Sequence, residues 1–102
     1  MKKQFLFTFF ILFLMYQSLL HADKGTVVKV KDDKIVISYS MGFLLLEWYG
    51  GHLPSNGDVY VGSFNSYGMK ELFCISADSE TRFWIEEYMA DKQDAMEFLY
   101  EN

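Results

Sequence analysis

The chain has 102 residues, a formal net charge of −5 and a single cysteine. This length accommodates one small domain, and one cysteine excludes an intrachain disulfide as a source of stability. The acidic balance disfavours nucleic acid as a partner, because such a surface repels phosphate backbones. Aromatic residues make up 19% of the chain, so we expect an aromatic core to hold the fold together.

The first 22 residues have the layout of a cleavable secretory signal peptide. Lys2 and Lys3 form a positive n-region, residues 5–15 are apolar, and a more polar stretch leads to the small residue Ala22. The apolar stretch is shorter than the roughly 20 residues of a spanning helix, so we expect no membrane span in the mature form. We predict an exported protein, periplasmic or secreted, whose residues 23–102 form one domain. Without the two lysines, seven basic residues remain against fourteen acidic ones.

The next part of the chain has the pattern of five short strands separated by turns. The predicted strands cover residues 26–31, 34–39, 43–49, 58–64 and 70–76. The first two are rich in β-branched residues and are separated by Asp32-Asp33, which indicates a hairpin. In the first of them, Val28 and Val30 are expected to share one face. The third strand is apolar on both faces, which is typical of a strand covered on both sides.

Residues 80–101 fit two alternatives. At helical spacing they have one apolar side, which permits a single long amphipathic helix. The run from Thr81 to Ile85 has strand composition instead, and Asp91 is a good helix N-cap with Asp94 three residues later. We choose a sixth strand followed by a helix.

The pattern predicts a mainly β fold: a small antiparallel barrel of five or six strands, OB-like or SH3-like, with a C-terminal amphipathic helix. The segment Pro54–Gly62 resembles the turn and strand that many such barrels share, with a polar turn, Gly-Asp, alternating valines and a glycine. The resemblance covers nine residues and indicates the architecture without pointing to a family.

The loop after the third predicted strand carries the candidate chemistry. The backbone conformation of the loop explains its glycines and its proline, whereas no structural requirement explains His52. One hypothesis is a small hydrolase that uses His52 with the flanking carboxylates Glu47 and Asp58. The sequence lacks a nucleophile elbow, and the mature part has one histidine and one cysteine, too few for a His/Cys zinc set. We therefore predict neither a metal nor a cofactor, and favour a non-enzymatic function.

The second hypothesis is a binding or accessory module. Trp48, Tyr49, His52 and Tyr67 surround the central turns, and aromatic side chains are enriched at protein interfaces. With an acidic surround, they suit a protein or peptide partner, including a basic peptide, or a cationic envelope component. The alternative to an exposed binding surface is that these aromatic residues fill the core. Cys74 is either a buried thiol or part of an intermolecular disulfide.

Overall fold

The computed structural model of the protein describes residues 22–101, so the predicted signal peptide lies outside the described residues except for Ala22. The elements in chain order are β1 (Asp23–Lys31), β2 (Lys34–Tyr39), β3 (Gly42–Gly51), β4 (Val59–Gly62), β5 (Gly68–Cys74), β6 (Ser79–Ala90) and α1 (Lys92–Tyr100). Within this part of the chain, no helix has the length and apolar character needed to cross a membrane.

The six strands close into an antiparallel barrel, which confirms the predicted mainly β fold with a C-terminal helix. The order around the barrel is β1-β2-β3-β6-β5-β4, and β4 pairs with β1 to complete the ring. β4 therefore lies beside β1 after the meander of the first three strands, which is a Greek-key connection. Closure pairs every strand on both sides, so no long edge is left open.

The ambiguous last quarter of the chain forms a strand and then a helix, so the prediction of a sixth strand is confirmed and the single long helix is wrong. β6 has twelve residues and extends beyond the predicted run. At the start of α1, the Asp91 side chain accepts a hydrogen bond from the Asp94 amide at 2.8 Å. The Asp94 side chain accepts one from the Asp91 amide at 3.2 Å, which completes a capping box.

Side chains from all six strands fill the barrel interior. The buried residues are Val27, Ile35, Ile37, Leu44, Leu46, Tyr60, Phe64, Leu72, Cys74, Phe83 and Ile85. The rings of Tyr60 and Phe83 meet edge to face with centroids 5.2 Å apart, an arrangement that aromatic pairs prefer. Large aromatics thus contribute to the core, as the composition indicates.

In β1, the prediction that Val28 and Val30 share one face is wrong. The pairing of β1 with β2 shifts register between Val27 and Lys29, so Val28 is the extra residue of a β-bulge. Val27 is buried and Val30 packs against the core, whereas Val28 is 45% exposed. A strict period of two cannot locate an inserted residue of this kind.

The helix α1 packs on the outside of the barrel, over a second small core. This core consists of Val36, Leu45, Ala90, Ala95 and Leu99. It explains why β3 is apolar on both faces, since Leu45 faces the helix while its neighbours face the interior. At the helix C-terminus, Lys31 and Lys34 donate hydrogen bonds to the carbonyl groups of Leu99 and Phe98, each at 2.8 Å. These lysines satisfy carbonyls that have no partner within the helix.

Candidate functional site

The loop from His52 to Asp58 crosses one end of the barrel and is fastened on both sides. The His52 amide donates to the Glu80 carbonyl at 3.1 Å, and the Thr81 hydroxyl donates to the His52 carbonyl at 2.8 Å. At the other side, the Val27 amide donates to the Asp58 carbonyl at 2.8 Å. The loop is therefore held by β6 and by β1, which fixes the positions of its side chains.

His52 and Asp58 form a side-chain hydrogen bond across this loop. The distance from His52 Nε2 to Asp58 Oδ2 is 2.9 Å. The same oxygen accepts a bond from the Ser55 amide at 2.9 Å, and Asp58 Oδ1 accepts one from the Ser76 hydroxyl at 3.1 Å. Burial by itself raises the pKa of Asp58, but the hydrogen bonds from His52, Ser55 and Ser76 outweigh it and lower the pKa. Asp58 is therefore a carboxylate at neutral pH.

Ser76 connects this hydrogen-bonded pair to the free, fully buried thiol of Cys74. The distance from Ser76 Oγ to Cys74 Sγ is 3.2 Å. Because Ser76 gives its single proton to the Asp58 carboxylate, the thiol is the donor to Ser76. The imidazole nitrogen of His52, the carboxylate oxygen of Asp58 and the sulfur of Cys74 all lie within 4.8 Å of one another. We call these four residues, His52, Asp58, Ser76 and Cys74, the mouth cluster.

The order of groups in the mouth cluster differs from that of a nucleophile relay. Asp58 lies between His52 and Ser76, whereas in a relay the histidine lies between the hydroxyl and the carboxylate. Glu47 lies elsewhere, opposite Lys34 and Trp84 in the barrel wall. It is four residues from the end of β3, or about 13 Å at roughly 3.3 Å per residue. The structure thus brings together His52 and Asp58 of the hypothetical hydrolase and leaves Glu47 apart.

The four candidate binding residues lie in separate places. Trp48 packs against the barrel core, and its indole N–H has no hydrogen-bond partner among the described residues. Tyr49 lies at an irregularity in the pairing of β3 with β6 and is exposed. Tyr67 lies in the loop between β4 and β5, at the end of the barrel opposite to His52, and its ring is 4.8 Å from that of Tyr88.

An exposed aromatic residue that the sequence analysis did not select is Trp84. It is 41% exposed in β6, with Met69 of β5 opposite it on one side and Glu47 of β3 on the other. A signal for it exists in the sequence. Once residues 81–85 are read as a strand with Phe83 inward, Trp84 must point outward.

Two pairs of carboxylates lie on the outer surface of the barrel, one next to Trp84 and the other around Arg82, two residues earlier in β6. Burial and then hydrogen-bond contact with Glu47 raise the pKa of Glu86. In the second pair, contact with Glu71 raises the pKa of Glu80, while the hydrogen bond from Arg82, 3.0 Å away, lowers that of Glu71. We call this surface the aromatic–acidic face; it consists of Tyr49, Met69, Trp84, Glu47, Glu71, Glu80, Glu86 and Arg82.

The acidic surface continues from Glu86 into a groove between β6 and α1. This acidic groove has a volume of about 330 Å³ and is lined by Leu45, Glu86, Glu87, Asp94, Glu97, Phe98 and Glu101. Five of these seven residues are acidic and none is basic. Burial, and then the charges of Asp94, Asp91 and Glu97, raise the pKa of Glu87. The groove therefore concentrates negative charge next to the aromatic–acidic face.

Comparison of the chain with protein-family models, with curated proteins and with solved structures finds no match. The function is accordingly inferred from the residues described above.

Proposed function

We propose that the protein is an exported, non-enzymatic binding module that takes a basic peptide segment of a partner protein on the aromatic–acidic face. The observation that carries the proposal is the exposed indole of Trp84 beside the Glu47 and Glu86 carboxylates. Like-charged carboxylates in contact repel each other, and a bound cation would relieve this repulsion.

Two basic residues near Glu47 and Trp84 on the described strands, Lys34 and Arg82, have other partners. Lys34 lies opposite Glu47 on the neighbouring strand, but its ammonium group donates to the Phe98 carbonyl. Arg82 is paired with Glu71. Among the described residues, Glu47 and Glu86 therefore have no ion-pair partner. A lysine or arginine from a partner would supply the missing positive charge.

The aromatic and apolar part of the face suits the same kind of partner. A cation over an exposed tryptophan ring gains about 0.5–1 kcal/mol, and the aliphatic part of a lysine or arginine side chain can cover Met69 and Trp84. A purely apolar partner would instead bury the surrounding carboxylates without compensation, which is costly. The charge of the face thus selects a basic segment.

The distribution of charge over the barrel favours one orientation of that partner. Lys24, Lys29 and Lys31 lie on β1, which is across the six-stranded ring from β6, the strand that carries Trp84. A basic segment is attracted to the acidic side and repelled from the lysine side, which steers the encounter.

A peptide titration tests the binding part of the proposal. The protein is expressed from the full chain, and the probe is a labelled ten-residue peptide of alternating lysine and glycine, compared with a glutamate–glycine peptide of equal length. We expect Trp84→Ala to weaken binding by about 2- to 5-fold, the equivalent of a 0.5–1 kcal/mol cation–π contact. Removing two charges with Glu47→Gln/Glu86→Gln should weaken it by about 2- to 30-fold and reduce its salt dependence.

Matched controls come from the other side of the molecule. Tyr100→Ala removes an exposed aromatic ring that lies beside Lys31, and Asp32→Asn removes an exposed carboxylate from the turn between β1 and β2. Both should leave the affinity unchanged. Equal binding of the two peptides, or equal losses in the control variants, would refute the proposal.

The export part of the proposal rests on the signal-like layout of the first 22 residues. It is tested by expressing the full chain in a secreting host and determining the N-terminus of the product. A product outside the cytoplasm that begins near Asp23 supports export. An unprocessed chain that stays in the cytoplasm speaks against it.

A further inference from the structure

We infer that His52, Asp58 and Cys74 form a binding site for a borderline divalent transition-metal ion such as Zn²⁺. Their imidazole nitrogen, carboxylate oxygen and thiol sulfur lie within 4.8 Å of one another at one end of the barrel. Zinc is bound in proteins by these three kinds of atom. The inference goes beyond the proposed peptide binding and does not depend on it, because the aromatic–acidic face contains none of these residues.

The distances require only small adjustments. Bonds of 2.0–2.3 Å to a tetrahedral zinc ion place its ligand atoms roughly 3.3–3.7 Å from one another. His52 Nε2 and Asp58 Oδ2 are 2.9 Å apart, and the remaining separations do not exceed 4.8 Å. Shifts of about 1 Å, which side-chain rotation can supply, therefore bring the three atoms to ligand spacing. In the complex the ion takes the place of the proton that His52 and Asp58 share.

The barrel holds these groups in place without an ion. β4 and β5 pair with Tyr60 opposite Cys74, and continuing this register places Asp58 opposite Ser76. The Val59 amide donates to the Ser76 hydroxyl at 3.2 Å, which fixes that end of the hairpin. A metal ion would thus bind to ligand atoms that already lie close together, which reduces the conformational cost of binding.

The mouth cluster is open on one side and closed on the other. The side chains of His52 and Asp58 are 28% and 17% exposed, so an ion can reach them from solvent. Cys74 forms the buried wall of the cluster. Three protein ligands leave one position of a tetrahedral ion for water or for the adjacent Ser76 hydroxyl.

The charges and protons balance on binding. The Cys74 thiol releases its proton and becomes a thiolate, and together with the Asp58 carboxylate it neutralises the two charges of the ion. His52 binds through Nε2, so the proton on this nitrogen leaves it: a neutral imidazole carries that proton on Nδ1 instead, and a protonated imidazole keeps its Nδ1 proton and releases the Nε2 proton to solvent. The thiolate favours zinc-like ions over calcium and magnesium, which prefer oxygen ligands.

The test is a titration of the full-length protein, freed of metal with a chelator and kept reduced with a phosphine, using Co²⁺ as the probe and Zn²⁺ as the competitor. We expect one Co²⁺ per chain, a thiolate-to-cobalt charge-transfer band in the near ultraviolet, and loss of that band when Zn²⁺ is added. Cys74→Ser should abolish the band, and His52→Gln and Asp58→Asn should each weaken binding by about tenfold or more.

Two matched controls should bind like the unmodified protein. His21→Gln removes the other histidine of the chain, and Asp78→Asn removes a carboxylate from the turn that follows β5. An unmodified protein without the band, a band that persists in Cys74→Ser, or unchanged affinity in both His52→Gln and Asp58→Asn would overturn the inference.

A thermal readout covers the case in which Cys74→Ser does not fold. Zn²⁺ should raise the Tm of the unmodified protein, because it binds the folded state. At the same Zn²⁺ concentration it should raise the Tm of His52→Gln by less, because the weakened site is less occupied. Equal shifts in the two proteins would show that any zinc effect arises outside the mouth cluster and would overturn the inference.

Discussion

Thr81→Val tests how the core is coupled to the loop that carries the mouth cluster. Thr81 is fully buried, and its hydroxyl donates to the His52 carbonyl at 2.8 Å. Because a hydroxyl has one proton, the Tyr60 hydroxyl must be the donor in its 2.6 Å contact with Thr81. A chain of two hydrogen bonds therefore runs from the core residue Tyr60 through Thr81 to His52.

The expected loss in the free energy of unfolding depends on which polar groups each substitution leaves without a hydrogen-bond partner. Thr81→Val keeps the shape of the side chain but leaves the Tyr60 hydroxyl and the His52 carbonyl without a partner. A buried polar group that loses its partner costs about 1–3 kcal/mol, so we expect a loss of about 2–4 kcal/mol. Tyr60→Phe leaves the bond from Thr81 to His52 intact and should cost only about 0.5–1.5 kcal/mol. In the double variant no phenol is left unpaired, so its loss should be smaller than the sum of the two single losses by about 1–2 kcal/mol.

Equilibrium unfolding in urea, followed by tryptophan fluorescence, measures these differences through the transition midpoint at constant slope. For a domain of about 80 residues, a loss of 2 kcal/mol also lowers the Tm by about 8 °C or more. The reasoning is refuted if Thr81→Val stays within about 0.5 kcal/mol of the unmodified protein, the range of ordinary surface substitutions. Strictly additive losses in the double variant would also contradict it.

Three further variants probe the helix, the barrel interior and the hydrogen bonds of Asp58. Asp91→Ala removes the helix cap and should lower the free energy of unfolding by about 1 kcal/mol, with a loss of helical signal in circular dichroism. Gly25→Ala should cost about 1–3 kcal/mol in urea unfolding, because its Cβ would lie 2.5 Å from Ile37 Cγ2 and 2.8 Å from a backbone oxygen; unchanged stability would contradict this close approach. Folding lowers the pKa of Asp58 from its ordinary 3.8, so its stabilising contribution is complete above that pH and is lost as the pH falls through the lower folded value. Asp58→Asn should therefore lose less stability between neutral pH and pH 3 than the unmodified protein, and parallel pH profiles would contradict this assignment.

The strands and the final helix could be predicted from the sequence because their signals are local. β2 has the predicted bounds, 34–39, and the helix begins after Asp91 as its capping residues indicate. The bulge at Val28 could not be predicted, because it depends on how β1 pairs with β2 and with β4 around the closed ring. A local alternation rule contains no information about such pairing.

The mouth cluster, too, could be predicted from the sequence only in part. The sequence singles out His52 as a loop residue without a structural role and Asp58 as a flanking carboxylate, but their proximity to Cys74 arises from the register of β4 against β5. Counting only histidines and cysteines also left out the carboxylate as a third ligand type. Trp84 was missed for a different reason: its outward direction follows only after β6 is known to be a strand.

The most direct test of the proposed function is a map of where the lysine–glycine peptide binds, from two-dimensional ¹H–¹⁵N NMR spectra of the protein recorded during a titration. We predict the largest shift changes at the Trp84 indole N–H and at the amides of β3, β5 and β6 around it, with smaller changes as salt is added. An undisturbed Trp84 signal, with changes centred on the lysine-bearing strands β1 and β2 or nowhere at all, would contradict the proposal.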